Sequence, residues 1–501
     1  MGNVHSVSAE RKLSSLGLLG AGLISLVLCA GAIAEAFRLN SLQDPNFWGN
    51  LSAGGWILEN RAIPRTGIYS QMANAPWRDF HWGFDMAVAI FYRLLGVRVI
   101  PVVLMLLRLG LAFVTFFLAG RRKNVWGAAV CVLMVQYVLF RVGPGPELLS
   151  AVIWGVVLLL LQNALLLRDE KFLRVLPLIF ICWANLDIGF VYGIALYALF
   201  LISELPKRFF ASREDDLGLS SGAPLRFSTI ALIGGASVVA TLLNPYGYHV
   251  YTAFFQWEFS GINYELPGYT AMSFRQAPDY LLMLFGMTAF LFLGVRRSRD
   301  LFSLSVLSGA AALAFHAQRE GWLLALASSA VIGWVVVRNE KQNLKVLGFE
   351  SKLQPFVVGG VCAGVLAVLT FAVIPSKRET LLEIAGQKLP LRAANIIRQR
   401  QLPAPMFNSY AYGGFLTWYL PEYPVAMDAR RGLFPEDEVL HYFQVMNAEL
   451  PYQALPAMRE ARTFVLEKEN VTGQALKGLP GFSLAYEDDH SLVLLHEGPK
   501  Q

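Results

Sequence analysis

Charge and cysteine are both scarce in this chain. Of 501 residues only 16% are charged and four are cysteine, against 55% hydrophobic and a mean hydropathy of +0.47. An ordinary soluble domain carries about a quarter of its residues charged, so this composition excludes one and implies a polytopic membrane protein. Cys29, Cys131, Cys182 and Cys362 all lie in apolar segments and match no metal or redox spacing, which excludes a disulfide framework and a cysteine-ligated zinc site and leaves packing as their expected role. Also missing are a glycine loop to cradle a nucleotide phosphate, a nucleophile elbow, and the internal repeat that announces many transporters. The net charge of +6 is no nucleic-acid signal, because the Lys and Arg residues sit in short clusters between apolar segments.

What is present is a series of eleven apolar segments, near 16–37, 97–119, 124–140, 147–167, 172–185, 188–203, 227–245, 279–295, 300–316, 320–337 and 354–374. The first, long enough to span, reads as a retained anchor rather than a signal peptide. With the N-terminus cytoplasmic, the clusters Arg121-Arg122-Lys123, 168–171, Lys207-Arg208 with Arg213, Arg296-Arg297 with Arg299, and 338–345 all fall inside. An odd number of spans then puts the C-terminal part outside. The apolar stretch 81–95 breaks this pattern if counted as a span, so it is expected to be an interfacial helix joined to the next span at Gly96. The expected organisation is a transmembrane domain, 1–375, including a first outer loop 38–96, followed by a C-terminal outer α/β domain, 376–501.

The first loop carries Asp44-Pro45-Asn46-Phe47-Trp48, Gly54-Gly55-Trp56-Ile57, Ile63-Pro64-Arg65-Thr66, Pro76-Trp77-Arg78-Asp79 and His81-Trp82. Further along stand Trp183-Ala184-Asn185-Leu186-Asp187, Leu243-Asn244-Pro245-Tyr246-Gly247, the Arg319 region, and Phe407-Asn408 through Gly413-Gly414 to Asp428-Ala429-Arg430. In their order the chain resembles the GT-C membrane glycosyltransferases, and within them a bacterial branch largely of unassigned specificity. The resemblance implies a sugar donor linked to polyprenyl phosphate, work on the outer face of the plasma membrane, and a first-loop acidic residue as catalytic base. Where that branch tends to have a second Asp, a Thr-Asp and an Asn-Leu-His, this chain has Asn46, Thr66-Gly67 and Asn185-Leu186-Asp187. Asn in place of Asp removes an anionic oxygen that a hard cation prefers, so no metal or other cofactor is expected, and any dependence on magnesium or manganese is expected to be weak.

Transfer from a phosphate-linked donor needs a base for the acceptor hydroxyl and positive charge for the leaving phosphate. Asp44, just past the first span, is the candidate base; its other reading is the N-cap of a helix beginning near Asn46. Asp187 and Asp79 are candidate further carboxylates, with Asp85 as an alternative. At the outer end of a helical hairpin Asp187 is a functional candidate by position, or else hydrogen-bonds to Asn185 or pairs with an arginine. Arg319, Arg141 and Arg275, with His81 and Trp48, are the candidates for donor phosphate and lipid. Arg108, deep in the second span, is expected to pair internally.

The C-terminal part alternates helical and extended signals: a basic amphipathic helix at 393–401, strands at 404–408 and 424–428, a helix at 438–447, a strand at 463–467 and a terminal hairpin of 482–487 with 491–496. That alternation predicts a small α/β sandwich with a largely parallel sheet. Ligands approach such sheets at the carboxyl ends of strands, which makes Asn408, Tyr412, Asp428 and Arg430 candidates for acceptor or accessory binding. The 410–414 run, Tyr-Ala-Tyr-Gly-Gly, reads as a tight turn. Three functions remain: transfer of a sugar to an envelope glycan, lipid or protein; a catalytically silent relative that binds glycan and lipid or scaffolds polysaccharide-assembly proteins; and a transporter or flippase, which the collection of polar residues at outer helix ends disfavours. A single-cysteine probe placed near Gln71 or near Gln474 is expected to react with an impermeant reagent added outside intact cells, and protection of both would reverse the topology.

Overall fold

The computed structural model describes residues 2–120, 125–209, 225–258, 260–266, 268–296, 300–337 and 354–497. The basic residues Arg121-Arg122-Lys123, Arg213, Arg297, Arg299 and 338–345 lie outside them. Helix α1 (Gly2–Arg38) leads into two helices of the first loop, α2 (Pro45–Asn60) and α3 (Trp82–Leu95). There follow α4 (Val99–Ala119), α5 (Val125–Val138), α6 (Pro146–Leu167), α7 (Leu176–Leu186), α8 (Phe190–Phe209), α9 (Phe227–Thr241), α10 (His249–Glu258), α11 (Ala277–Val295), α12 (Leu301–His316), α13 (Gly321–Val337) and α14 (Gln354–Val368). Every expected apolar segment is therefore helical. Leu19–Arg38, Trp82–Ala119, Pro146–Leu167, Ala277–Val295 and Pro355–Val373 are long and apolar enough to cross a bilayer, which makes the chain a polytopic helical membrane protein.

Two segments depart from simple spans. α7 has 11 residues, about 17 Å at 1.5 Å per residue and so about half a hydrocarbon core. With Pro177 in its first turn it starts four residues later than the 172–185 span expected from hydropathy, and the extended backbone of Asp187 ends it. α3 meets α4 at Gly96, whose φ of 58° places it where side chains are rarely tolerated, so the joint expected there is present. α13 is the central helix: residues 322–331 are buried on every side, as an all-round apolar helix must be. Arg108 of α4 donates to the carbonyl of Phe140 at 2.6 Å and lies in electrostatic range of Glu35, so it pairs internally as expected.

Beyond α14 come α15 (Arg378–Ala385), α16 (Leu391–Arg400), β1 (Met406–Asn408), α17 (Tyr410–Tyr419), α18 (Glu436–Met446), α19 (Pro456–Glu460), β2 (Thr463–Glu467), α20 (Val471–Lys477), β3 (Phe482–Glu487) and β4 (Ser491–His496). They form a four-stranded sheet in the order β1-β2-β4-β3. Alternate strand residues feed two cores, Phe407, Phe464 and Leu494 on one face and Met406, Val465 and Val493 on the other, so the sheet is buried on both sides. The expectation of a largely parallel sheet is corrected: β1 and β2 are parallel, but β2 with β4 and β3 with β4 are antiparallel. The turn joining β3 to β4 is too short for a crossover, and only an antiparallel pair accepts such a turn. The 424–428 segment is no strand of this sheet; Val425 instead makes an isolated parallel bridge with Ser70 of the first loop.

The first loop is clamped to this domain. The 410–414 run is not a turn but the first part of α17, and its glycines let two backbones touch: a Cβ on Gly414 would lie 2.3 Å from the carbonyl oxygen of Pro45, and a Cβ on Gly49 would lie 3.4 Å from the Gly414 Cα. Trp48 is fully buried in this contact, 4.4 Å from the Trp418 ring and 5.5 Å from Phe415, with its indole N–H given to the Leu42 carbonyl. Gly414→Ala is expected to force the two helices apart and lower stability by about 1–3 kcal/mol, the usual cost of overpacking. Gly55→Ala, where an added Cβ meets nothing within 4 Å, should stabilise α2 slightly. Thermal melting in detergent distinguishes the pair, and equal effects of the two would remove the claim that this approach is tight.

Candidate active site

Asp44 takes its place because α2 starts there. It is the N-cap, with Oδ1 accepting the Asn46 N–H at 2.9 Å, and Pro45 follows as a first-turn residue that needs no N–H partner. Its other oxygen, Oδ2, lies where a Cβ on Gly143 would come within 1.8 Å, so only glycine fits opposite it in the turn between α5 and α6. That turn, Gly143-Pro144-Gly145-Pro146, starts α6 and sets Glu147 in its first turn. Desolvation chiefly raises the Asp44 carboxyl, the Asn46 N–H opposes it, and Glu147 adds repulsion, with the result about 6.

Glu147 was not foreseen, and it connects the site. Its charge acts on Asp44, Asp187 and Tyr410 alike, and its carboxylate lies 3.4 Å from the guanidinium of Arg319. Arg319 is held from behind by Glu320 at 3.0 Å and lies over the Tyr269 ring at 4.3 Å. Arg431, from the C-terminal domain, faces the same ring at 3.8 Å. Asp187 is buried in the turn between α7 and α8. Its Oδ2 accepts from the Ser150 hydroxyl and from the Gly189 N–H at 2.9 Å, and Ser150 in turn accepts the Trp183 indole N–H at 2.7 Å. Burial pushes its carboxyl up, with these hydrogen bonds opposing. Neither the Asn185 bond nor the arginine pair expected for Asp187 is made: Asn185 donates to the carbonyls of Ile181 and Leu243.

Glu147, Asp187, Arg319 and Arg431 line a cleft of 20 Å³, room for about one water or one hydroxyl. Across Trp257 and Arg431, which line both spaces, lies a cavity of 1310 Å³. Arg61, Arg65, Arg78, Trp77, Phe80, Trp82 and Tyr246 are in its wall, and among the described residues no carboxylate lines it. Behind that wall Asp79 and Asp85, both fully buried, bracket His81, whose Nδ1 is 3.0 Å from one carboxylate and 3.1 Å from the other. Burial alone would lower the His81 imidazolium, but the two carboxylates outweigh it and raise it well above its ordinary range.

Several expected members do not join. Trp48 is core and faces neither space. Arg141 is exposed at 5.2 Å over Phe140, and exposed Arg275 is likewise absent from both linings, because the turn that packs Gly143 on Asp44 turns Arg141 outward; Arg431 supplies the second cation instead. Asn408 spends its amide on Ala426, Met427 and Ser409, and the Tyr412 hydroxyl goes to the His490 carbonyl. Arg430 forks onto Asp428, donates to the Ile68 carbonyl and lies over Trp77 at 5.1 Å. These four hold the domain together and dock it on the first loop rather than facing an acceptor. A signal for Glu147 was present in the Gly-Pro-Gly-Pro start of α6, and for Arg431 in its place beside Arg430.

Fold and site together define a polytopic membrane protein whose polar centre lies where its helices meet a sheet domain. No family model and no curated protein matches the chain. Among solved structures, ArnT from Cupriavidus metallidurans bound to undecaprenyl phosphate aligns with a TM-score of 0.48 at 13% identity, covering 95% of this chain and 99% of its own. The oligosaccharyltransferase AglB from Archaeoglobus fulgidus, in complex with an inhibitory peptide and a dolichol-phosphate, aligns with a TM-score of 0.48 at 11% identity, covering 91% of this chain and 70% of its own.

A raised acid favours the folded state while protonated, so the contribution of Asp44 to stability is fully present below about pH 4 and is lost as the pH rises through about 6. Because Asn caps about as well as Asp, Asp44→Asn should leave the melting temperature near pH 4 unchanged and raise it at pH 8. A variant that melts lower than wild type at pH 8 would show that the charge is stabilising in place.

Proposed function

We propose that this chain is a membrane glycosyltransferase that moves a sugar from a polyprenyl-phosphate carrier to an envelope glycan, lipid or protein acceptor on the outer face of a bacterial plasma membrane. The observation that carries the proposal is the convergence of Glu147, Asp187 and Arg319 on a cleft that shares Trp257 and Arg431 with a large cavity walled by arginines and aromatic rings, with Asp44 within electrostatic reach of Glu147. Arg61, Arg65, Arg78 and Arg431 suit a phosphate, while Ile57, Leu58, Trp77, Phe80 and Trp82 suit an isoprenoid chain. The order of the first-loop motifs, with its resemblance to GT-C enzymes, supports the same chemistry.

In the step itself the acceptor hydroxyl gives its proton to Asp44 as its oxygen bonds to the sugar C1, and the C1–oxygen bond to phosphate breaks. Polyprenyl phosphate leaves with the bonding pair, its charge met by Arg431 and Arg319. A carboxyl raised to about 6 is ionised at neutral pH and basic enough to serve. With Asn46 in place of a second anion beside Asp44, this step draws on no bound metal and no other cofactor. A silent glycan-binding relative is the second reading, favoured by one fact: one Asp44 oxygen is taken by the helix cap and the other packs closely against Gly143.

Asp44→Asn is expected to keep lipid binding and lower turnover of a polyprenyl-phosphate-linked sugar by about 10²-fold or more, because the cap survives and the base does not. Wild-type turnover should rise with pH through about 6. Unchanged turnover in the variant would end the base assignment, and a wild type that binds the carrier lipid without any transfer would establish the silent relative.

A further inference from the structure

The Asp79, His81 and Asp85 cluster is a site in its own right, separate from the carboxylates around Glu147. One donor atom from each lies within 4.8 Å of the others, and the imidazole Nδ1 stands between the two carboxylates at 3.0 and 3.1 Å. Both Asp side chains are fully shielded from solvent, yet Asp79 Oδ2 and Asp85 Oδ1 meet no hydrogen-bond partner among the described residues. Buried carboxylate oxygens without a donor are costly, and one Nδ1–H cannot serve two carboxylates well. Tyr246 takes the Asp79 backbone N–H through its hydroxyl oxygen, the His81 backbone N–H goes to Asp79 Oδ1, an oxygen already facing the ring, and the two carboxyl groups themselves face each other, which brings a third pair of ligand atoms together.

We infer that Asp79, His81 and Asp85 bind a divalent first-row cation, zinc or manganese. Ligand atoms at about 2.1 Å from such an ion lie about 2.9–3.4 Å apart, the spacing seen between Nδ1 and its two carboxylate neighbours. A mixed imidazole and carboxylate set suits these ions better than magnesium or calcium, which prefer oxygen alone. Charge points the same way. A divalent ion with a neutral imidazole matches the charge of the two buried carboxylates without a proton on either.

The ion holds the cavity wall. Arg78, Phe80 and Trp82 line the large cavity while the alternate residues Asp79 and His81 turn behind it to Asp85 at the start of α3, so a bound cation fixes the wall without entering the cavity. It takes no part in sugar transfer and does not rest on the glycosyltransferase reading, since it is measured as binding.

The full-length protein in detergent, stripped with chelator and then dialysed against zinc or manganese, is expected to retain about one ion per chain and to melt higher with it. His81→Gln, at a partly exposed ring, and Asp85→Asn should each weaken binding by about 10-fold or more and abolish the thermal shift, while Glu147→Gln and Asp187→Asn keep both. Absence of binding in the wild type overturns the inference, as does undiminished binding in His81→Gln. Loss of the ion only in the Glu147 and Asp187 variants overturns it too, by moving the cation to the other cluster. Should Asp85→Asn fail to fold, monodisperse His81→Gln decides alone.

Discussion

Two backbones in direct contact set the position of everything polar in this molecule. Gly414 of α17 lies against Pro45 and Gly49 of α2, and no larger residue fits between them. The contact is reinforced by Trp48 among the rings of Phe415 and Trp418 and by the Ser52 hydroxyl bonded to the Thr417 carbonyl at 3.0 Å. Because α2 begins at Asp44, fixing α2 fixes Asp44. Because α17 belongs to the sheet domain, the same contact brings that domain down onto the helices. The pairing of Tyr69 and Gln71 with Val425 and the Arg430 bond to Ile68 then carry Arg431 to Trp257. A cation from the C-terminal domain thus comes to line the same cleft as Glu147 and Asp187.

Charge explains why those carboxylates differ. Asp428 sits two residues from Arg430 and is fully paired, so it is spent on structure. Glu147 remains largely exposed and shares Arg319 with buried Glu320, which leaves an anion facing the cleft with its counterion already in place. Asp44 and Asp187 have no arginine of their own and are stabilised by backbone N–H groups and a hydroxyl, so burial and Glu147 both push them towards the protonated form. Acids set apart in this way are suited to moving protons, whereas paired ones are suited to holding a fold.

Hydropathy made the helical frame legible, since an apolar run long enough to span is helical whichever way its faces turn. The Gly96 joint, the helix cap at Asp44, β2 and the final hairpin were equally open to sequence, because each is local. What was hidden depends on distant partners. Trp48 reads as a donor-lipid candidate in sequence because only α17 covers it, and Asn408, Tyr412, Asp428 and Arg430 read as binding candidates because their partners come from elsewhere in the fold. The sheet departs from the parallel expectation because β-α alternation runs on through α20 to β3, and β3 then pairs with the adjacent β4 rather than with β2. An acid in the first turn of a helix after Pro146 is what a helix start favours anyway, so the Gly-Pro-Gly-Pro signal for Glu147 marks a helix start, and only Asp44 across Gly143 makes it part of a site.

The two polar clusters are joined by the short segment that leads into α3. Trp77, Arg78, Phe80 and Trp82 line the cavity while Asp79 and His81 turn away from it, so one segment supplies the binding wall on one side and the buried charges on the other. Phe80 touches both Tyr246 and Trp257, with ring centroids at 5.2 and 5.1 Å, and Tyr246 also accepts the Asp79 N–H. Trp257 in turn lies under Arg431 at the boundary between cavity and cleft. A displacement at His81 therefore reaches the cleft through only three packed rings. The His81 charge already acts on Asp187, so whatever neutralises the bracketing carboxylates, proton or cation, also sets the field felt by the acid at the cleft.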